Sequence, residues 1–363
     1  MCKVSDIKKL TPKLNPNLAL INGKYYFLNL RALMCKAMEH GFGIGAINIR
    51  GKHILDATLE AAFEERSPLI IEIAESEQEY CNLPPSRFAN LVVPRIEEFV
   101  HRYGYMIPIT LHMDHVQKDL SLIDKAIKVG FSSVEVDQSK HPLEKNIEIT
   151  RGVVEKCHPL GVSVEGEIGE IGAAEALKDQ NLQDNLIKYV PKVDEVIRFV
   201  LETGIDAFAG FFGNGHGKYM EIPKITWDRI NEIGGELKRR DIELPLVMHG
   251  GSYLETVDYD RIEVFVHAVK CGCHKFNYAT SLSDMLKSYL PKTLNEKMEA
   301  EAKRQNSSWR KMLGKFEEEI DRIDPSRLKN AKIDISYHLR MMIRHAWRSS
   351  GKSEAYPPSF YTV

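Results

Sequence analysis

Ile107-Pro-Ile-Thr-Leu-His-Met-Asp114-His115, Leu120-Ser-Leu-Ile-Asp-Lys-Ala-Ile-Lys-Val129 and Ser133-Val-Glu-Val-Asp137 decide the fold. The outer two runs are short, apolar and β-rich. The middle one repeats apolar residues every three or four positions, the spacing of a helix with one buried face. Strand, helix and strand within about 30 residues make the βα unit of a parallel sheet. Outward from it, strands at 44–49, 69–74, 163–168, 207–212, 246–249 and 274–277 join those at 107–113 and 133–137, giving eight. Helical spacing recurs between them at 53–65, 85–102, 120–129, 143–155, 193–203, 225–238 and 256–270. Eight units in about 250 residues predict an α/β fold, the closed TIM (β/α)8 barrel, in preference to an open doubly wound sheet.

The barrel is assigned to residues 37–292 of the 363. Residues 1–36 form an N-terminal segment in which Leu18-Ala-Leu-Ile-Asn22-Gly23-Lys-Tyr-Tyr-Phe27 reads as a hairpin, because Asn-Gly supplies the positive φ of a tight turn. This hairpin is expected to plug the barrel floor. Residues 293–363 form a C-terminal extension, helical over 293–322 and 333–349 and extended at Pro357-Pro358-Ser-Phe-Tyr-Thr-Val363. Residues 173–186 read as a long loop, a position where lids occur.

Lys and Arg number 49 against 51 Asp and Glu, so no global basic field draws the chain to nucleic acid or acidic membranes. No apolar run is long enough to span a bilayer, and the first thirteen residues lack the apolar core of a signal peptide. The six scattered cysteines, Cys2, Cys35, Cys81, Cys157, Cys271 and Cys273, then read as free thiols in a reducing compartment, and the expected location is cytoplasmic.

Active sites of such barrels lie at the carboxyl ends of the strands. Here those ends are polar: Asn48, Glu75, Asp114 with His115, Asp137, Glu167, Asn214 with His216, His249 and Asn277. A few capping residues are ordinary, and any single histidine is more often a satisfied core or surface residue. Three histidines, His115, His216 and His249, arriving from separate strands at one rim match the ligand set of catalytic zinc. His112 shares a strand face with Asp114 and reads as a hydrogen-bonding neighbour of the site. His249-Gly-Gly-Ser252 and Asn277-Tyr-Ala-Thr280 offer backbone N–H groups and hydroxyls where many barrels hold a phosphate.

Taken in order, seven motifs resemble those of the class II, metal-dependent ketose-bisphosphate aldolases. They are Gly45-Ala-Ile-Asn48; Thr110-Leu-His-Met-Asp114-His115; the run from Gly130 through Asp137-Gln-Ser139 with Glu144-Lys-Asn146-Ile147; Val164-Glu165-Gly-Glu167-Ile-Gly169; Gly213-Asn-Gly-His216-Gly217-Lys-Tyr219; Val247-Met-His249-Gly-Gly-Ser252; and Lys275-Phe-Asn277-Tyr-Ala-Thr280. The resemblance covers residues 40–285. It implies one Zn2+ on His115, His216 and His249, with Asp114 exchanging a proton with the hydroxyl at the bond being cleaved. It also implies a loop glutamate, Glu175 by counting from Gly169, that protonates the enediolate. Asp137 and Glu167 would support the metal or hold it in an alternative position. Asn48 and Asn277 would contact the substrate, and Gly217, Lys218, Gly250, Ser252 and Thr280 its phosphate. A monovalent cation, Na+ or K+, and a homodimer or larger homo-oligomer are further implications. The implied partner is a small sugar phosphate, a ketose 1-phosphate and foremost fructose 1,6-bisphosphate, cleaved reversibly to dihydroxyacetone phosphate and glyceraldehyde 3-phosphate.

The aldehyde half departs from the family pattern. Ala74 stands where the family usually supplies a Ser or Thr, with Ser76 as a substitute, and no distal-phosphate arginine is evident. Arg50, Arg340, Arg344 and Arg348 are candidates for that role. Alternatives are therefore an aldolase for tagatose bisphosphate or a deoxy- or sulfo-sugar phosphate, and a non-catalytic sugar-phosphate-binding barrel. A barrel metallohydrolase would show His-x-His on its first strand, where this chain has Asn48. A Schiff-base aldolase would use Lys275.

Overall fold

The computed structural model describes residues 12–174, 177 and 188–363. Strands β1 (Leu20–Ile21) and β2 (Tyr25–Tyr26) pair as an antiparallel hairpin. Its turn residues Asn22 and Gly23 both have positive φ, +51° and +64°. Eight parallel strands then close a barrel: β3 (Ile44–Asn48), β4 (Leu69–Ala74), β5 (Ile109–Val116), β6 (Ser133–Val136), β7 (Ser163–Ile168), β8 (Ala207–Gly210), β9 (Leu246–Met248) and β10 (Cys273–Tyr278), with β10 returning to pair with β3. The helices Lys52–Glu64, Pro85–Tyr103, Ser121–Ile127, Leu143–Cys157, Val193–Thr203, Trp227–Arg239, Glu263–Lys270 and Thr280–Tyr289 follow the strands in turn. The helix expected from 256 starts only at Glu263. Thr256 and Tyr259 close a turn first, and the Asp260 carboxylate then accepts the N–H groups of Ile262 and Glu263.

Two expectations about the chain's ends are corrected. The floor is closed by the helix Leu30–His40, whose buried Leu30, Leu33, Met34 and Ala37 pack beneath β5, β7 and β10. Asn29 fixes its start, accepting from the Ala32 N–H and donating to the Gly161 carbonyl. The hairpin lies beside this floor against the helix Pro85–Tyr103. The last residues are not extended throughout. Pro358–Phe360 form a 3-10 turn, after which Thr362 bridges Tyr25 and the Tyr361 carbonyl accepts from the Tyr26 N–H.

Between these ends the extension crosses the molecule. Lys292–Arg304 is helical, Trp309–Met312 is a 3-10 turn, and Pro325–Met341 is a helix that packs against both Lys52–Glu64 and Thr280–Tyr289. Trp347 continues inward to lie against Gly45 of β3, and its carbonyl accepts from the Gly43 N–H. Cys81, Cys157, Cys271 and Cys273 are free and buried, whereas Cys35 is disulfide-bonded, so the reading of every cysteine as a free thiol fails at Cys35. No helix among the described residues is long and apolar enough to cross a membrane.

Candidate active site

Strict alternation along β5 would place Asp114 and His115 on opposite faces. The strand avoids this with a register shift between Met113 and Val116, and His115 takes a left-handed φ of +46°. That irregularity turns both side chains into the barrel, a device common beside functional sites. His216 follows β8 in a loop stitched to the start of the loop after β7: the Ala174 N–H donates to the His216 carbonyl, and the His216 N–H to that of Gly172. His249 follows β9 and is completely buried. The three imidazole centroids lie 4.4, 4.8 and 5.7 Å apart, and one ring nitrogen of each falls within 4.8 Å of the others.

Carboxylates orient two of these rings, those of His115 and His249. His115 Nδ1 lies 3.2 Å from Asp137, while its buried Nε2 has no hydrogen-bond partner. His249 Nε2 lies 3.2 Å from Glu165 Oε1. A second carboxylate on an imidazole fixes the tautomer and leaves the other nitrogen's lone pair for a cation. Three imidazoles, one with an orphaned nitrogen, fit a zinc ion by donor type and number. Burial opposes a charge on His115, but Asp114, Asp137 and Glu167 outweigh it and push its pKa up to about 10. Groups that hold a proton there favour a metal cation in its place.

Beneath the histidines the interior is densely charged. Lys275 is fully buried, its Nζ 2.9 Å from Glu165, 3.4 Å from His112 Nε2, 3.5 Å from Glu72 and 3.8 Å from Asp114. Six buried carboxylates divide in two. Burial, then neighbouring carboxylates, raise Glu72, Glu135 and Glu167 well above the ordinary range. Burial would raise the other three as well, but cations outweigh it and they ionise. Asp114 and Asp137 are lowered chiefly by His115, and Glu165, chiefly by Lys275, falls to about 2. Crowded like charges cannot all ionise, so the six split into a raised set and a lowered set although Glu72 also lies near Lys275. Burial lowers His112 to about 3, so it is neutral, and its Nδ1 meets the Ser133 hydroxyl at 2.9 Å. Lys275 is the opposite of an imine-forming amine: burial would lower its pKa, but Glu165 and Glu72 raise it above the ordinary value.

Above lies a cavity of about 760 Å³. Its lining includes Asn48, Asp114, His115, His216, Gly217, Gly250, Ser252, Asn277 and Thr280. Asn277 Nδ2 donates to Asp114 Oδ1 at 3.0 Å, and the Ser252 hydroxyl accepts from the Ala279 N–H at 3.0 Å. Gly250 has φ +68°, and a Cβ there would lie 2.1 Å from the Gly215 carbonyl oxygen, so only glycine fits. Glu167 faces His115 at 3.9 Å from within the barrel.

Other expected residues lie elsewhere. Lys218 lines a separate pocket with Tyr253 and Arg261. Glu75 does line the cavity, but its carboxylate accepts the N–H groups of Gln117, Lys118 and Asp119, which makes it a loop cap. Glu175 lies outside the described residues. Arg340 and Arg344 pair with Glu65 on the outer ring, and Arg348 does not line the cavity. Arg50 does line it, but is held by Glu77 and Ser283. Sequence reasoning missed Glu165 as the partner of His249, although it alternates with Glu167 on one face of β7. It also missed the cavity residues Arg310 and Lys311, because nothing local shows where a tail folds back.

Comparison with known proteins gives a consistent answer. The family model described as fructose-bisphosphate aldolase class-II matches residues 28–331. A fructose-bisphosphate aldolase of Staphylococcus epidermidis is 35% identical over 253 residues, 70% of this chain and 81% of its own length. One from Staphylococcus aureus is 34% identical over the same spans. In fold, the chain is similar to fructose-bisphosphate aldolase from Campylobacter jejuni (TM-score 0.65, 21% identity, covering 90% of this chain and 97% of that one). The YdjI aldolase of Escherichia coli K12 is similar to the same degree (TM-score 0.64, 21% identity, 90% and 98% covered). A barrel whose strand ends carry these motifs, matched by one family model over most of its length, belongs to the class II fructose-bisphosphate aldolases, and the chain is an aldolase, a carbon–carbon lyase.

Proposed function

We propose that this aldolase reversibly cleaves fructose 1,6-bisphosphate to dihydroxyacetone phosphate and glyceraldehyde 3-phosphate, with one Zn2+ on His115, His216 and His249. The observation that carries the reading is the convergence of three imidazoles, two of them oriented by carboxylates, beside Asp114 at the base of one cavity. Bound zinc would supply an electrophile that polarises the substrate ketone. Asp114 is held ionised by His115 and Lys275 against its burial, and is aimed by Asn277, so it can exchange a proton with the hydroxyl at the bond being cleaved. Gly217, Gly250, Ser252 and Thr280 would take the 1-phosphate on backbone N–H groups and hydroxyls. Glu175 would return the proton to the dihydroxyacetone carbon.

The test is release of dihydroxyacetone phosphate from fructose 1,6-bisphosphate before EDTA, after it, and after Zn2+ is restored. Activity should vanish and return with the metal, and His249→Ala should lose about 1,000-fold or more in kcat. Cleavage indifferent to chelation would sink the metal reading.

A further inference from the structure

The loop after β9 carries Gly250 and Ser252, and the residue that follows them is held in a conformation side chains avoid. Tyr253 has φ +63°, in the left-handed region, where a residue with a Cβ is strained and persists only if its surroundings fix it. Here they do. The Tyr253 hydroxyl donates to Asp284 Oδ2 at 2.9 Å, and Arg261 and Lys218 lie over the ring, 5.3 and 5.7 Å from its centre. Burial, then the hydrogen bond to Asp284, raise the Tyr253 pKa, so the hydroxyl keeps the proton it donates.

The barrel grips the loop just before this point. The Gly251 N–H donates to the Asn277 carbonyl at 3.0 Å, and the Ser252 hydroxyl accepts from the Ala279 N–H. Asp284 lies a turn further on, in the helix Thr280–Tyr289, and its carboxylate is shared. Arg310, from the turn Trp309–Met312 of the C-terminal extension, donates to Oδ1 from Nε at 2.9 Å and to Oδ2 from Nη2 at 3.1 Å. The Tyr253 hydroxyl and one guanidinium nitrogen therefore meet on the same oxygen. Arg310 in turn lies over the Trp309 ring, as does Lys287. A carboxylate that takes two bonds from a planar guanidinium is fixed in direction, so Asp284 presents Oδ2 to Tyr253 in one orientation. Neither Tyr253 nor Asp284 lines the cavity, so any effect they have on binding passes through the loop.

We propose that Tyr253 is a positioning residue anchored by Asp284 and Arg310. The extension orients the Asp284 carboxylate, the carboxylate holds Tyr253 in its left-handed turn, and that turn keeps Gly250 and Ser252 at the cavity wall. The proposal rests on the reading of this loop as a phosphate site. It gives the extension a part in substrate binding through a loop that it does not itself form.

The full-length enzyme and its Tyr253→Phe, Asp284→Asn and doubly substituted variants would be compared in two ways. In cleavage of fructose 1,6-bisphosphate, Tyr253→Phe should raise KM about 10-fold, the worth of one hydrogen bond to a charged acceptor, with kcat changed by less than about twofold. In amide hydrogen exchange read by mass spectrometry, the stretch 249–256 should exchange about 10-fold faster. The helix Leu143–Cys157 should be unaffected, whereas a general loss of stability would quicken it as well. Asp284→Asn should act in the same direction, and the double variant should do no more than the stronger single one, because the two side chains share one bond. Loop exchange at the wild-type rate in Tyr253→Phe, an unchanged KM, or additive single effects overturns the proposal. If the wild type cleaves the sugar and loop exchange does not respond, the proposal fails and the substrate reading stands. If loop exchange responds but the wild type does not cleave the sugar, the substrate reading fails and the anchored loop stands.

Discussion

One side of the cavity rim is built from backbone and hydroxyls, the other from side-chain charge. Around β8 to β10 the lining is Gly217, Gly250, Ser252, Asn277 and Thr280. Around β3 and β4 it is Arg50, Glu77, Ser76 and Lys311. Backbone groups are placed by the barrel itself and tolerate little change. Charged side chains are placed by one another, so their arrangement can be altered without disturbing a strand. Under the proposed function, the common half of the substrate would sit on the rigid side and the variable half on the other.

The contrast can be broken at its strongest point. Arg50 and Glu77 are both buried, so Arg50→Met leaves a carboxylate without a partner and should cost about 3–5 kcal/mol in denaturant unfolding. Adding Glu77→Gln should recover more than half of that. A neutral Arg50→Met would show that this pair does not hold the wall and that Arg50 is free to serve the substrate. On the backbone side, Gly250→Ala forces the loop away from Gly215, and a shift of about 1 Å in a binding loop lowers kcat/KM by about 100-fold. Steady-state kinetics showing a fall below tenfold would mean that the glycine side is as adaptable as the charged one.

The smallest effect sharpens the comparison by locating the tail's anchor. Glu65→Gln removes the carboxylate that joins Arg340, Arg344 and Ser350 to the barrel, at about 1–2 kcal/mol, since both arginines are partly exposed. Burial would raise the Glu65 pKa, but the hydrogen bonds from Arg344 and Arg340 outweigh it and lower it. A lowered folded-state pKa stabilises above the unfolded value of about 4.3, and the gain disappears as pH falls through the folded value. Melting curves of wild type and Glu65→Gln should thus differ at pH 7 and converge in acid. A gap that persists in acid would show that Glu65 acts by packing, not by charge.

The barrel was legible because apolar runs and helical spacing alternate through eight units, and the rim because polar residues close the strands. His115 could be named but not aimed: its inward turn depends on a left-handed backbone and a register shift that no residue type announces. Lys275 was visible as a lysine in the last strand, yet its charge partners come from β4, β5 and β7, and only closure brings them together. The tail was read correctly as largely helical, but its arginines expected at the mouth, Arg340, Arg344 and Arg348, do not line the cavity. Arg340 and Arg344 meet Glu65, while the tail residues at the cavity are Ser308, Arg310 and Lys311, in and beside a turn held by Asp284 and Cys81.

The helix Pro325–Met341 has a further consequence for how the molecule assembles. It lies between the helices that follow β3 and β10, the first and last strands of the barrel, and Trp347 beyond it stacks edge-on with Tyr278 while covering Gly45. Joining those two strands closes the longest loop in the barrel, and the entropic cost of closure rises only with the logarithm of loop length. Once the cylinder has shut, every contact the extension adds across the joint comes with little further ordering of the strands. The extension therefore works as a hasp: its contacts span the joint between the last strand and the first, and opening the cylinder there would have to break them as well.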